Sequence, residues 1–157
     1  MRAILGVALV AIAGLGVTSM GMAGAPKAAA PTAAELVAAR QAGFKLMAAD
    51  FVGLKAAIAR GDDVKTLAFP AGAIAGWGKA LPGLFPAGAT TPESKALPSV
   101  WSDRAGFEAA AAKLATEAGK LAELAKAGDS AGFAAQFQAV GGACKGCHDK
   151  YRAEEKK

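Results

Sequence analysis

Apolar positions along this chain recur at helical spacing in four blocks, each bounded by capping chemistry. The first opens at Thr32-Ala33-Ala34-Glu35, where a hydroxyl and a carboxylate three residues on form a capping-box pattern. Phe44, Met47, Phe51, Leu54 and Ile58 follow at gaps of three and four and so share one stripe. Gly61 closes this helix as a residue that adopts the left-handed C′ conformation. The second block starts at Asp62 or Asp63. Its regular part runs from about Pro70 to Leu81, because a proline is best placed in a first turn, and Ile74, Trp77 and Leu81 form its apolar side. Gly72, Gly76 and Gly78 each cost helix stability, roughly 1 kcal/mol relative to alanine, which close approach of another helix would explain.

From Pro82 to Val100 the chain carries Pro82, Pro86, Pro92 and Pro98 with Gly83 and Gly88, a composition that cannot sustain a helix. This is a long connection, with Leu84, Phe85 and Trp101 expected to fold inward and hold it down. Ser102 or Asp103 caps the third helix, where Phe107, Ala111, Leu114, Ala118, Leu121 and Ala125 recur at gaps of four and three; Glu108, Lys113, Glu117, Lys120 and Glu123 form its outer face. Gly128 stops it and Asp129 or Ser130 caps the fourth, whose stripe is Phe133, Phe137, Val140, Cys144, Cys147 and Tyr151. No segment alternates as a strand does. The fold predicted is all-α, an antiparallel up-down-up-down four-helix bundle. The first and last helix pairs are joined by tight Gly-Asp turns and the middle pair by the long connection. The alanines of the third helix suit close packing, with space reserved elsewhere for a large flat group.

Ahead of these blocks the pattern changes. Met1-Arg2 is a short positive start, Ala3 to Val17 an uncharged apolar run, and small residues follow from Thr18 to Ala25; this is the design of a secretory signal peptide. The apolar core is short of the roughly 20 residues that a membrane-spanning helix needs. Cleavage after Ala25 would place Pro26 first, and cleavage after Ala23 avoids that. The organisation expected is a signal peptide over 1–25, a flexible leader over 26–31 and one helical domain over 32–157, exported to the periplasm with no membrane attachment after cleavage. The formal charge of +5 on 157 residues is spread over many lysines, which gives no nucleic-acid footprint.

The chemistry is concentrated in Cys144-Lys145-Gly146-Cys147-His148, which holds both cysteines and the only histidine of the chain. C-x-x-C-H is the attachment signature of a c-type haem: both thiols form thioethers to the macrocycle and the histidine binds iron. Thiols at i and i+3 and an imidazole at i+4 project from one side of a helix. A redox dithiol would belong near a βαβ pattern, which is missing, and a zinc site would need a fourth ligand that is not evident. One covalent haem c per chain is therefore expected, with Cys144 and Cys147 as its attachment points and His148 as axial ligand. The sixth position of iron decides the function. Phe44 and Met47 both lie on the buried stripe of the first helix, and periodicity alone does not choose between them.

Arg40-Gln41-Ala42-Gly43-Phe44-Lys45-Leu46-Met47, Leu84-Phe85-Pro86-Ala87-Gly88, Trp101-Ser102-Asp103 and Gly141 to Arg152 together resemble cytochrome c′, the class II c-type cytochromes. The resemblance implies that the residue three after the Arg-Gln pair, here Phe44, lies over the open face of the haem. A methionine there marks low-spin members and an apolar or aromatic residue marks five-coordinate ones. It thus implies a high-spin, five-coordinate iron that binds small diatomic ligands, nitric oxide or carbon monoxide, or carries electrons to a partner the sequence does not name, or does both. The alternative is a low-spin electron carrier with His148 and Met47 as axial ligands. The resemblance also places Arg40 and Gln41 at positions that bond a haem propionate, unless they form a solvated helix face. Arg152 falls near the proximal side of the haem, unless it serves as a helix C-terminal charge. A homodimer through the first two helices is implied as well. Enzymatic turnover is not supported, since no second histidine or paired acid is available for distal acid–base work.

Overall fold

The computed structural model describes residues 29–154. The expected signal peptide, the first residues of the leader and residues 155–157 lie outside the described residues. Helix α1 spans Ala33–Arg60, and its N-terminus carries the complete capping box: the Thr32 hydroxyl accepts from the Glu35 amide at 3.2 Å, and the Glu35 carboxylate accepts from the Thr32 amide at 2.7 Å. Gly61, at φ 72°, ends it in the left-handed conformation that a side chain would resist. A 3-10 turn over Val64–Leu67, capped by Asp63, leads into α2, Ala68–Ala80. Pro70 lies in the first turn of α2, as its missing amide hydrogen requires.

The long connection contains a 3-10 turn at Leu81–Leu84 and a single helical turn, α3, at Ser99–Ser102. Phe85 is buried, and Leu84 and Trp101 are half-buried against the core. The Trp101 indole donates to the Pro86 carbonyl at 2.9 Å, and Arg104 donates to the carbonyls of Phe85 and Pro82, both at 2.8 Å. Helix α4, Arg104–Ala127, is capped by Asp103 and ended by Gly128 at φ 76°. Helix α5, Ser130–Tyr151, is capped by Asp129. An isolated antiparallel bridge joins Ala96 to Arg152, and no strand occurs among the described residues.

The result is the antiparallel four-helix bundle. Its core is solid where α2 packs on α4 and α4 on α5, around Ile74, Ala111, Ala118, Leu121, Phe133 and Val140, each at most 1 % exposed. The glycines of α2 divide by role. A Cβ on Gly78 would stand 2.8 Å from the Ala115 amide nitrogen of α4, so here two backbones do lie close together. Gly72 and Gly76 point into open space, and close helix contact does not account for them.

Asp103 joins three elements at one end of the bundle. Its carboxylate accepts from the Gly106 amide at 3.2 Å, from the Tyr151 hydroxyl at 2.8 Å and from Lys150 at 3.4 Å. The Tyr151 hydroxyl and then Lys150 hold this carboxyl below its ordinary range.

Two outcomes are expected. Gly78→Ala should destabilise the fold by about 1–3 kcal/mol through overpacking. Gly119→Ala in α4, whose new Cβ meets nothing within 4 Å, should stabilise it by up to about 1 kcal/mol; equilibrium denaturation of both variants checks the opposite signs. A carboxyl depressed in the native state stabilises above its unfolded value, about 3.9, and that contribution is lost as pH falls through the native value. The stability difference between the wild type and Asp103→Asn should therefore shrink as pH drops below about 4, read from denaturation midpoints across a pH series.

Candidate functional site

Helix α1 packs on α2 and meets α5 only sparsely. At one point side chains of α1 and α5 bridge the gap, where Phe51 and Phe137 stack at 4.3 Å between ring centroids. The space between the two helices is a cavity of about 570 Å³, within the span of cofactor pockets, roughly 300–1,000 Å³. Its existence explains why Phe44, Met47 and Phe51 on the first stripe are half-buried while Leu54 is fully buried. Those three side chains face the cavity.

The α5 wall carries Cys144, Cys147, His148 and Tyr151, and Leu81, Phe85, Val100, Phe107 and Leu114 make an apolar lining beside it. Both cysteines are free and half-buried. Burial pushes the Cys144 thiol above its ordinary value, and burial followed by the neighbouring Cys144 does the same for Cys147. A reactive dithiol needs a lowered thiol value, so the environment speaks against redox exchange as the pair's purpose. Among the described residues no group of three or more His, Cys, Asp or Glu side chains converges to hold a metal ion. His148 is solvent-exposed, yet partial burial of its ring and then the charge of Arg152 hold its imidazole below the ordinary value, with Asp149 opposing. The neutral ring keeps the lone pair used in ligation.

The opposite wall comes from α1. Arg40 is 2 % exposed. Its guanidinium donates to the carbonyls of Leu84 and Ala89 at 3.2 and 2.7 Å and to the Ser94 hydroxyl at 2.8 Å, and it lies 4.3 Å from the Phe85 ring centroid. It thereby fastens the long connection to α1, and the solvated-face reading does not hold for it. No ion pair among the described residues includes Arg40, so a buried cation borders the cavity with neutral partners alone. Gln41 donates to the Glu93 carbonyl at 3.0 Å. Phe44 meets the edge of Trp77 at 5.7 Å and 81°.

The structure therefore brings Arg40, Gln41, Phe44, Met47, Cys144, Cys147, His148 and Arg152 to one cavity. It adds residues that sequence reasoning did not single out. Lys45 and Lys95 contribute charge to the lining, and Phe107 and Leu114 contribute apolar surface from α4. The last two were visible as members of a core stripe, but a stripe does not show which of its members face a void. Lys95 is placed by the ladder that ties the connection to the end of α5, where the Leu97 amide donates to the Tyr151 carbonyl at 2.9 Å and the Ala153 amide to the Lys95 carbonyl at 2.8 Å. The donor set fits a covalent haem: two thiols one turn apart and an imidazole beside them on one wall of a largely apolar slot, with an unpaired buried guanidinium suited to a carboxylate on the other.

The family model described as Cytochrome C′ matches residues 35–152. A cytochrome c′ from Rubrivivax gelatinosus is 39% identical over 122 residues, covering 75% of this chain and 94% of that protein. Among solved structures, a cytochrome c′ with a ligand-controlled dimer dissociation superposes with a TM-score of 0.75 at 26% identity, covering 80% of this chain and all of the other. A nitric oxide complex of a mutant cytochrome c prime from Alcaligenes xylosoxidans gives a TM-score of 0.73 at 26% identity, covering 81% of this chain and 100% of the other. With the family match extending from the first helix through the C-x-x-C-H motif, this chain belongs to the cytochrome c′ family, and its cofactor is covalently attached haem c.

Proposed function

We propose that this is a periplasmic haem protein in which His148 is the single protein ligand to a five-coordinate, high-spin iron, leaving the α1 side open to NO or CO. The observation that carries this reading is the makeup of the facing wall. Phe44, Met47, Ala48 and Phe51 line it, and Phe44, at the position that low-spin relatives fill with methionine, makes no bond to a metal.

Haem, when bound, supplies an iron centre that takes a diatomic ligand and changes oxidation state. Cys144 and Cys147 retain it through two thioethers, so the site does not depend on affinity alone. His148, whose imidazole is held below its ordinary value by burial and then by Arg152, would ligate iron through its unprotonated nitrogen. Arg40 and Gln41 use some donors on the connection, and the remaining guanidinium N–H groups of Arg40 would be available to a haem propionate. Arg152 contributes positive charge beside His148. The side chains of Phe44, Met47, Ala48 and Phe51 carry no hydrogen-bond donor for a bound gas, which favours CO and NO over oxygen. Among the described residues no carboxylate lines the cavity, and binding with electron carriage suits such a lining better than turnover.

Met47 lines the same cavity one helical turn from Phe44, which makes His148 and Met47 ligation of a low-spin electron carrier the specific rival. The exposed apolar residues Leu46, Val52 and Phe69 lie on α1 and α2, and with the open faces of Gly72 and Gly76 they support association of two copies through these helices.

The optical spectrum of the purified holoprotein should be high-spin, and sharp low-spin bands with a ferric thioether absorption would sink the open-site reading. Phe44→Met should move the spectrum toward low spin, whereas Met47→Leu should leave it unchanged. Sedimentation over a range of concentrations should show a dimer that Phe69→Glu weakens by about tenfold or more, the scale of losing one buried aromatic contact.

A further inference from the structure

Gly43 immediately precedes Phe44, and it is one point at which an α2 side chain reaches the α1 backbone. A Cβ built on Gly43 would lie 2.5 Å from both Cζ2 and Cζ3 of Trp77 and nearer still to Cη2. No side chain can occupy that space while the indole is there. Gly53, elsewhere on α1, has nothing within 4 Å of its Cβ position. The bare backbone at Gly43 is thus a seat for the six-membered ring of Trp77. The same indole meets Phe44 nearly perpendicular, at 5.7 Å and 81°, within the favoured range for edge-to-face pairs.

Two further observations show what holds the indole there. Its Nε1 is buried and has no hydrogen-bond partner, an unfavourable state for a donor, so the ring is held by shape and not by its polar handle. Trp77 is also missing from the cavity lining, whereas Phe44 is part of it. Phe44 therefore stands between the cavity on one side and Trp77 on the other.

We propose that Trp77, seated on Gly43, is a positioning residue for the small-ligand site: it backs Phe44, prevents the lid ring from withdrawing and so limits entry of a diatomic ligand. This inference rests on the reading of Phe44 as the lid over an open iron position. The packing between α1 and α2 then sets ligand access, although neither Gly43 nor Trp77 touches the ligand.

The test uses holoprotein with CO as probe, its association followed after flash photolysis. Trp77→Leu should accelerate CO association by up to about tenfold, the most that an edge-on aromatic contact is worth, while the resting spectrum stays that of the wild type. Trp77→Phe, which keeps an aromatic ring, should restore most of the slow rate. Phe44→Ala should accelerate association as well, and adding Trp77→Leu to it should change nothing further, because Trp77 acts through Phe44. Gly43→Ala, which displaces the indole without deleting it, provides a second route to the faster rate. It should also lower the denaturation midpoint in the wild type and much less in Trp77→Leu, a non-additive pair. Unchanged CO association in folded Trp77→Leu or Gly43→Ala would overturn the proposal, as would full additivity of Phe44→Ala and Trp77→Leu. A low-spin, Met47-ligated wild-type spectrum is a separate outcome. It removes the open-site reading before any variant is made, and the lid with it.

Discussion

The structure depends on an asymmetry of helix spacing. Gly78 lets α2 come within backbone contact of α4 at Ala111 and Ala115, and the small residues Ala118 and Ala125 keep the α4 surface low where it is fully buried. On the other side of the bundle, α1 and α5 carry Phe44, Met47, Phe51, Cys144 and Cys147 and do not close on one another. A helix pair with bulky facing side chains and no ridge-into-groove fit leaves a void, and in a folded interior a void persists where something fills it. The cavity is therefore a consequence of where the small residues were placed, as much as of what lines it.

Two devices keep that gap at a fixed width. The stacked rings of Phe51 and Phe137 act as a spacer between α1 and α5. The long connection is fastened twice: to α1 by the buried guanidinium of Arg40, and to the end of α5 by the bonds among Lys95, Leu97, Tyr151 and Ala153. The Ser99 hydroxyl adds a bond to the Lys150 carbonyl at 2.7 Å. An irregular segment thereby joins two helices whose direct contact is sparse, centred on Phe51 and Phe137. Arginine suits this task because its planar fork serves several carbonyls at once while its charge persists under burial.

Much of this was legible from residue order. Thr32 with Glu35, Gly61, Gly128, Asp103 and Asp129 mark helix ends through local chemistry, and local chemistry is what a sequence displays. The C-x-x-C-H signature was legible for the same reason, since all of its spacing lies within one helical turn. Other features depend on contacts between residues far apart in the chain. Arg40 bonds residues 44 to 54 positions away, so nothing near it in sequence hints at a buried clamp. Gly72, Gly76 and Gly78 read alike, and the packing partner alone separates Gly78 from the other two. The stripe shared by Phe44 and Met47 identifies a face and says nothing of what lies across from it.

The division of labour between the two walls follows from this difference in kind. The α5 wall is specified covalently and locally: thiols and imidazole are fixed by helix geometry, and substitutions elsewhere do not change their spacing. The α1 wall is specified by tertiary packing, through the indole behind Phe44 and the connection held by Arg40. On the proposed reading of Phe44 as a lid, retention of the cofactor and access to it fall to different residues. A change in Phe44, Gly43 or Trp77 would then act on the α1 wall, while the spacing of Cys144, Cys147 and His148 is set within α5.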